Sequence, residues 1–292
     1  MKMLDISVVI TTFNRFSYLE RLLKSLVNLS VKPLEIIIIN DGESIHNHFP
    51  DLLDEIKSYS INLKIIESGY KKGANYCRNL GVSYCESEFV TFMDDDDAFD
   101  VDFFKNFQIA RVKKPDVKCF YPSRKFVFDK DLANVKRIKI SKKVITLKNL
   151  SYGNLVGGTS GVIIKKEIFS SLGLIFDIKM PALQDYEFWL RICGKEISFH
   201  PLEESFVFYT VQNEGIQISR SVTKWKSAVK ILKEKRIFKD KKDSFRFISE
   251  LDFALAKTIF RSSNNFLTKL LALNTIMFLL PRRIIRDIKR NF

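Results

Sequence analysis

Four consecutive aspartates, Asp94 to Asp97, end a short segment over residues 88–93 that is mainly apolar. The segment is rich in aromatic and β-branched residues, which predicts a buried strand. Four carboxylates at one strand end repel one another unless a cation lies among them. Mg²⁺ and Mn²⁺ take oxygen ligands of this kind, and ligands of open α/β sheets bind outside the carboxyl ends of the strands. The tetrad therefore predicts a divalent metal site, with a solvated acidic loop as the alternative.

Polar residues also follow two other predicted strands. The strand over residues 6–10 is followed by Thr11 and Phe13, and the strand over residues 34–39 is followed by Asp41. An aspartate at a strand end can accept a hydrogen bond from a ring N–H of a nucleobase, while a threonine or a phenylalanine can hold or stack on the base. These positions indicate a nucleotide pocket, and a plain turn with a helix cap is the alternative.

The elements that must position these residues alternate as β-α-β-α-β-α-β over about the first 95 residues. Such alternation predicts a parallel, doubly wound sheet. The βα turns carry neither GxGxxG nor GxxxxGK[ST], which argues against a dinucleotide-binding fold and a P-loop NTPase. The second half is less regular; it contains a glycine-rich loop over residues 157–161 and helical spacing over 184–192. The loop is read as part of a sugar or acceptor pocket or as a hinge, and Trp189 as a core residue or as a cover for a sugar face.

Five motifs occur in order along the chain, at residues 7–15, 40–42, 73–81, 92–97 and 184–191. Together they resemble those of the inverting family 2 glycosyltransferases of the bacterial surface-polysaccharide type. The resemblance extends roughly over residues 5–220 and implies an α/β GT-A fold, a Rossmann-like and mostly parallel central sheet flanked by helices. It divides a catalytic domain, residues 1–220, into a nucleotide-binding half of about 1–112 and an acceptor half of about 113–220.

The resemblance assigns roles to the residues of the nucleotide-binding half. Asp41 matches the aspartate that contacts the base, and Thr11 and Phe13 line the same pocket. Asn75 and Arg78 fall near the nucleotide, with Arg78 as a candidate for a charge contact. The first motifs thus imply a site for a nucleotide-sugar donor.

The resemblance also divides the acidic residues. Asp94 and Asp96 match the two acids of the family's DxD motif, the first near the ribose or donor sugar and the second on the metal. Asp95 is placed with the nucleotide-sugar contacts, although Asp95 and Asp97 leave open a shift of the metal ligand by one residue. Asp185 matches the aspartate proposed as catalytic base.

The implied reaction moves a sugar from a nucleotide-diphosphate donor, predicted to be UDP-linked, to a hydroxyl of a glycan or lipid-linked acceptor in surface-polysaccharide synthesis. Mn²⁺ or Mg²⁺ is the implied cofactor, because a metal neutralises the leaving diphosphate. Three positions depart from the family pattern. Asn40 stands where an aspartate is usual, Gln184 where a glutamate is frequent, and the stretch 211–213 lacks the histidine of many members.

The charge of the chain is concentrated at one end. Residues 221–292 hold 18 Lys and Arg against 6 Asp and Glu, a net +12, whereas the first 220 hold 30 against 28. In the last segment Ile284, Ile285 and Ile288 lie on one face of a predicted basic amphipathic helix. This predicts a C-terminal helical basic extension, 221–292, on an anionic membrane surface; a hairpin packed on the catalytic domain is the alternative.

Composition limits the remaining classes. No apolar run is long enough to span a bilayer, no signal peptide is evident, and the four cysteines have no disulfide or metal spacing. A cytoplasmic enzyme is therefore expected, peripheral at the inner face of the cytoplasmic membrane in the membrane interpretation. The alternatives are a nucleic-acid-binding protein that uses the basic tail and a catalytically inactive scaffold; no nucleic-acid partner is expected, because the tail lacks a recognition motif.

Overall fold

The computed structural model describes residues 3–45, 48–128, 131–211, 221–263 and 265–291, with side chains up to residue 280. Within these ranges the chain forms one mixed sheet of nine strands with ten helices. The strands are β1 Leu4–Thr12, β2 Pro33–Asn40, β3 Asn62–Glu67, β4 Phe89–Asp94, β5 Ala98–Phe99, β6 Cys119–Phe128, β7 Val135–Lys139, β8 Ile163–Lys165 and β9 Phe199–Val211. The helices are α1 Phe16–Val27, α2 Pro50–Ser58, α3 Ala74–Ser83, α4 Phe103–Lys113, α5 Leu147–Leu150, α6 Glu167–Ser170, α7 Gln184–Cys193, α8 Val222–Glu234, α9 Lys241–Ser262 and α10 Phe266–Asn291.

The first four strands form the predicted parallel sheet in the order β3-β2-β1-β4. Their register brings the predicted site residues into one row, since Thr11 lies opposite Asp94 on one side and Thr12 lies opposite Asn40 on the other. The carboxyl ends of parallel strands meet at one edge of the sheet. The predicted parallel order is thus present, and it places residues of the nucleotide and acidic motifs at the same edge of the sheet.

Apolar residues on both sheet faces explain why the strands read as continuous hydrophobic runs. Val8 and Ile10 are buried in one cluster, which includes Leu22 of α1, while Val9 belongs to a second cluster. Helix α3 packs closely on β1 at Gly81, where a Cβ atom would lie 2.3 Å from Cγ1 of Val9. The close approach holds the last turn of α3, the helix that carries the third motif, against β1.

Beyond β4 the sheet becomes mixed. β8 pairs antiparallel with β4 and β6, whereas β6 and β9 run parallel. The loop before β8 also approaches β4, because Ser160 bridges to Phe92 and the Gly161 N–H donates to the Phe92 carbonyl over 2.8 Å. The glycine-rich loop is therefore attached to the strand that ends in the aspartates.

The C-terminal extension is helical, as predicted, and its first two helices pack on the rest of the chain. Val229 of α8 and Leu251 of α9 belong to the buried cluster that contains Trp189. Helix α10 differs, since Leu267 and Leu271 are each 67% exposed. The alternative in which the extension packs on the catalytic domain thus describes α8 and α9. The predicted domain boundary near residue 220 lies next to residues 212–220, which are outside the described residues.

None of the described helices combines the length and apolar character needed to cross a membrane. The four cysteines are buried free thiols, as expected from their spacing.

Candidate active site

The tetrad alternates between buried and accessible side chains. Asp94 ends β4, and a turn closes when the Asp97 N–H donates to the Asp94 carbonyl over 3.1 Å. Asp95 and Asp97 are 4% and 2% exposed, whereas the side chains of Asp94 and Asp96 are 36% and 20% exposed. The turn therefore leaves Asp94 and Asp96 accessible to a ligand.

Asp95 is turned inward and bound to the end of β1. Its carboxylate accepts hydrogen bonds from Thr12 Oγ1 at 2.9 Å and from Arg15 Nη1 at 3.2 Å. Burial raises the pKa of Asp95 to about 7, against the opposing charge of Arg15. This position differs from the predicted nucleotide-sugar contact, because the internal hydrogen bonds of Asp95 join the tetrad to the first motif.

Negative charge accumulates at the other members of the tetrad. Burial raises the pKa of Asp96, and the charge of Asp94 raises it further, while Arg15 Nη1 contacts an Asp96 oxygen at 2.9 Å. Burial also raises the pKa of Asp97 well above its ordinary value, followed by the charges of Asp96 and Asp94. Asp97 accepts the Thr210 N–H over 2.9 Å, which gives it a structural partner in β9.

The tetrad fits a divalent cation by its chemistry. In the part of the chain that the structure describes, no group of three or more Asp, Glu, His or Cys side chains is arranged to hold a metal on its own. Mg²⁺-type sites, however, commonly use one or two carboxylates together with substrate phosphates. Asp94 and Asp96 offer accessible, mutually repelling carboxylate oxygens, so a cation together with a diphosphate would complete such a site.

Helix α3 places a positively charged side chain, Arg78, beside Asp94. Arg78 is buried, and its Nη2 atom donates to Asp94 Oδ1 over 2.6 Å. Asn75, one turn earlier, is also buried; its amide donates to the Asp177 carbonyl over 2.7 Å, and its oxygen accepts from Arg78 over 3.3 Å. Asn75 therefore orients Arg78, and Arg78 orients the accessible carboxylate of Asp94.

Asp41, directly after β2, organises a neighbouring loop. Its carboxylate accepts the backbone N–H groups of Lys72 and Gly73, each over 2.8 Å, and the hydroxyl of Ser68. These bonds hold a loop in which Tyr70 adopts a left-handed backbone with φ 68°. Asp41 thus shapes a loop at the predicted base pocket.

Two aromatic rings lie at this loop. Phe13 is 39% exposed, and its ring centroid is 5.9 Å from that of Tyr70. Exposed rings in such an arrangement can stack on a nucleobase. Tyr70 was missed from the sequence, where only its place in a glycine-flanked loop pointed to it.

Asp185 lies in the first turn of α7, after Leu183 with a left-handed φ of 56°. Its Oδ2 atom accepts from Asn154 Nδ2 over 2.9 Å, and its Oδ1 atom accepts its neighbour's N–H, that of Tyr186, over 2.8 Å. Burial raises the pKa of Asp185; the Tyr186 N–H, Arg78 and Asn154 lower it, and Asp94 adds to the rise. Asp185 and the tetrad therefore interact within one site.

Three residues near Asp185 escaped the sequence analysis. Asn154 contacts its carboxylate, and the buried side chain of Arg124 contacts the glycine-rich loop. The third is Tyr209, whose pKa is raised by burial and by the charges of Asp97, Asp94 and Asp185. All three come from the irregular second half of the chain. Signals that point to them are an asparagine before the glycine-rich loop and charged or aromatic residues within strands.

Trp189 and His200 pack against other parts of the fold. Trp189 is fully buried, and its Nε1 atom donates to the Gly157 carbonyl over 2.8 Å, so it is the core residue of the simpler interpretation. His200 lies on β9 beside Phe120, with ring centroids 6.5 Å apart. The departure at 211–213 falls mainly on residues outside the described ranges.

Comparison with known sequences finds a family match and several relatives. The profile of the family described as "Glycosyl transferase family 2" matches residues 7–173. An uncharacterised glycosyltransferase of Haemophilus influenzae is 24% identical over 232 residues, which cover 78% of this chain and 76% of that protein. A GalNAc(5)-diNAcBac-PP-undecaprenol beta-1,3-glucosyltransferase of Campylobacter jejuni is 38% identical over 100 residues, 32% of this chain and 29% of that protein.

Comparison with solved structures identifies the fold as GT-A. The 1–349 fragment of TarS from S. aureus in complex with UDP-GlcNAc aligns with a TM-score of 0.63 at 18% identity, covering 96% of this chain and 83% of that one. The mannosyltransferase PcManGT from Pyrobaculum calidifontis in complex with GDP-Man and Mn²⁺ aligns with a TM-score of 0.60 at 14% identity, covering 99% and 88%. The two TM-scores establish a shared fold.

Proposed function

Because the chain belongs to glycosyltransferase family 2, whose members typically invert the anomeric carbon, we propose that it transfers a sugar from a UDP-sugar to a hydroxyl of a lipid-linked or glycan acceptor in surface-polysaccharide synthesis. One observation carries the proposal: Arg78 donates to Asp94 at the carboxyl end of β4, and the loop whose Asn154 binds Asp185 also contacts Asp94 through Ser160. The UDP-GlcNAc complex of TarS supports the choice of nucleotide, and the Campylobacter relative supports an undecaprenol-linked acceptor.

In the proposed donor pose, the base stacks beside Phe13 in the pocket bordered by Thr11 and Asp41, and the sugar extends towards Asp94. Asn75 supports the pose by orienting Arg78, which fixes the Asp94 carboxylate. This arrangement holds the donor across the sheet edge in an extended conformation, with its anomeric carbon directed towards α7.

In the proposed reaction, the acceptor hydroxyl attacks the anomeric carbon from the side of Asp185. The Asp185 carboxylate takes the hydroxyl proton as the new glycosidic bond forms, and the bond from the anomeric carbon to the phosphate oxygen breaks. Asn154 orients the base through its 2.9 Å hydrogen bond. A divalent cation, Mn²⁺ or Mg²⁺, held by Asp96 would neutralise the leaving diphosphate when bound.

A donor screen tests this proposal. We expect a panel of UDP- and GDP-sugars, assayed with Mn²⁺ by thermal shift and by release of nucleoside diphosphate, to yield one UDP-sugar that both stabilises and turns over. Stabilisation without turnover or transfer would favour the inactive scaffold. Preference for a GDP-sugar would overturn the choice of uracil and leave the reaction class intact.

The membrane part of the proposal concerns helix α10. Phe266, Leu267 and Leu271 are exposed within two turns of this helix, and the following residues 281–290 include five Lys and Arg. Apolar side chains beside a basic segment suit an anionic bilayer surface, where each nearby basic residue contributes about 1 kcal/mol. These features support the proposal of a cytoplasmic enzyme at the inner face of the membrane, next to a lipid-linked acceptor.

We expect the double variant Leu267→Gln, Leu271→Gln to bind phosphatidylglycerol-containing vesicles at least about tenfold more weakly than the wild type, because each leucine loses about 1.5 kcal/mol or more of burial. Vesicle flotation at low and high salt measures this. The matched control, Val112→Gln with Ile138→Gln, changes exposed apolar residues elsewhere and should float like the wild type. Equal flotation of both variants would contradict the proposal, and a concentration-dependent dimer would point to a second copy on α10.

A further inference from the structure

Arg124 is a buried cation in strand β6. It is 4% exposed, its Nε atom is buried without a hydrogen-bond partner, and it forms no ion pair among the residues that the structure describes. Burial lowers its pKa, whereas the charges of Tyr209, Asp97 and Asp185 oppose that change. A buried charge without a paired carboxylate is costly to folding, so a contribution to stability does not explain Arg124.

The guanidinium of Arg124, in β6, binds two carbonyl groups of the glycine-rich loop. Its Nη1 atom donates to the Val156 carbonyl over 2.8 Å, and its Nη2 atom donates to the Gly158 carbonyl over 3.1 Å. Gly157, between them, has a φ of 91°, and a Cβ atom there would lie 2.8 Å from the guanidinium carbon. The fork of Arg124 and the glycine therefore fit each other.

The loop held in this way contacts both acidic parts of the site. On one side Asn154 donates to Asp185 over 2.9 Å, and its own oxygen accepts the Gly157 N–H over 2.9 Å. On the other side the Ser160 hydroxyl accepts the Asp94 N–H over 3.3 Å. A shift of the loop would move these partners relative to both carboxylates.

We propose that Arg124 is a positioning residue that sets the geometry between Asp185 and Asp94 through the loop over residues 154–160. This inference rests on the proposed function for its kinetic consequence, but the loop itself can be measured without catalysis. Arg124 has no contact with Phe13 or Asp41, so its replacement should affect turnover more than donor binding. A displacement of about 1 Å in a catalytic arrangement can reduce the rate about a hundredfold.

The main test is Arg124→Lys, which keeps the charge but lacks the planar fork that reaches two carbonyls. With UDP-GlcNAc, or the UDP-sugar of highest turnover in the screen, we expect kcat to fall about tenfold to a hundredfold and the donor KM to stay within about twofold. Hydrogen exchange of the Gly157 and Gly161 amides should become faster. The control Arg137→Lys changes an arginine on the ring of Phe126 in β6 and should alter neither readout.

A merely structural role predicts a different pattern. Faster loop exchange with unchanged kcat, or a loss of kcat with unchanged loop exchange, would overturn the inference. If Arg124→Lys fails to fold, Asn154→Ala decides, because it removes the loop's hydrogen bond to Asp185 together with the bonds of Asn154 to Gly157. Unchanged kcat in that variant would also overturn the inference. A wild type that turns over no nucleotide sugar would refute the proposed function, while the exchange result would still report on the hold of Arg124 on the loop.

Discussion

Replacing Asp185 with asparagine is expected to lower kcat about a thousandfold while leaving the affinity for the donor within about twofold. Asparagine has nearly the same shape and can still accept from Asn154, but its amide cannot take the acceptor's proton. Steady-state kinetics and donor binding by calorimetry measure the two effects separately. Asp116→Asn, an exposed carboxylate after α4, is the matched control and should behave as the wild type.

The pH dependence of kcat provides a second readout for Asp185. Burial raises its pKa, and the Tyr186 N–H, Arg78 and Asn154 only partly oppose this, while Asp94 adds to the rise. A general base works when deprotonated, so activity should fall as the pH decreases through this raised pKa, at a higher pH than an ordinary aspartate would give. Unchanged turnover in Asp185→Asn, with its acid limb intact, would remove Asp185 from the role of base.

The nucleotide half of the site was predictable because strand patterns are local and parallel register is regular. Once β1, β2 and β4 were identified by their apolar runs, the row formed by Thr11, Asp94 and Asn40 followed from the shared edge of the sheet. The inward turn of Asp95 was harder to predict. Its burial depends on the partners Thr12 and Arg15, which lie about eighty residues earlier in the chain.

The second half of the site could not be read from local patterns. Asn154 and Arg124 act through contacts between a glycine-rich loop, β6 and α7, and no periodicity links those segments. The tail was ambiguous for a related reason. An apolar helix face looks the same in sequence whether a protein core or a bilayer covers it. The structure separates the cases, because Val229 of α8 and Leu251 of α9 are buried while Leu267 and Leu271 of α10 are exposed.

Asp96→Asn is expected to abolish the stabilisation by Mn²⁺ in the presence of UDP. A ligand at a hundredfold excess over its Kd stabilises by about 2.7 kcal/mol, which corresponds to a Tm increase of about 4 °C for a chain of this size. Thermal unfolding with Mn²⁺ and UDP, Mn²⁺ alone, UDP alone and EDTA measures it without any turnover. Asp96 is one of the two accessible members of the tetrad. Burial raises its pKa, and the charge of its neighbour Asp94 raises it further, so a bound cation would relieve repulsion there.

Asp97→Asn distinguishes the two possible registers of the metal ligand. Asp97 is 2% exposed and accepts the Thr210 N–H, a bond that the asparagine oxygen can still accept. Because burial already raises the pKa of Asp97, loss of its charge should leave the Tm of the metal-free protein equal or higher and preserve the Mn²⁺ response. A response lost in Asp97→Asn but kept in Asp96→Asn would move the ligand by one residue. Loss in neither variant would mean that Asp94 and the diphosphate suffice to hold the cation.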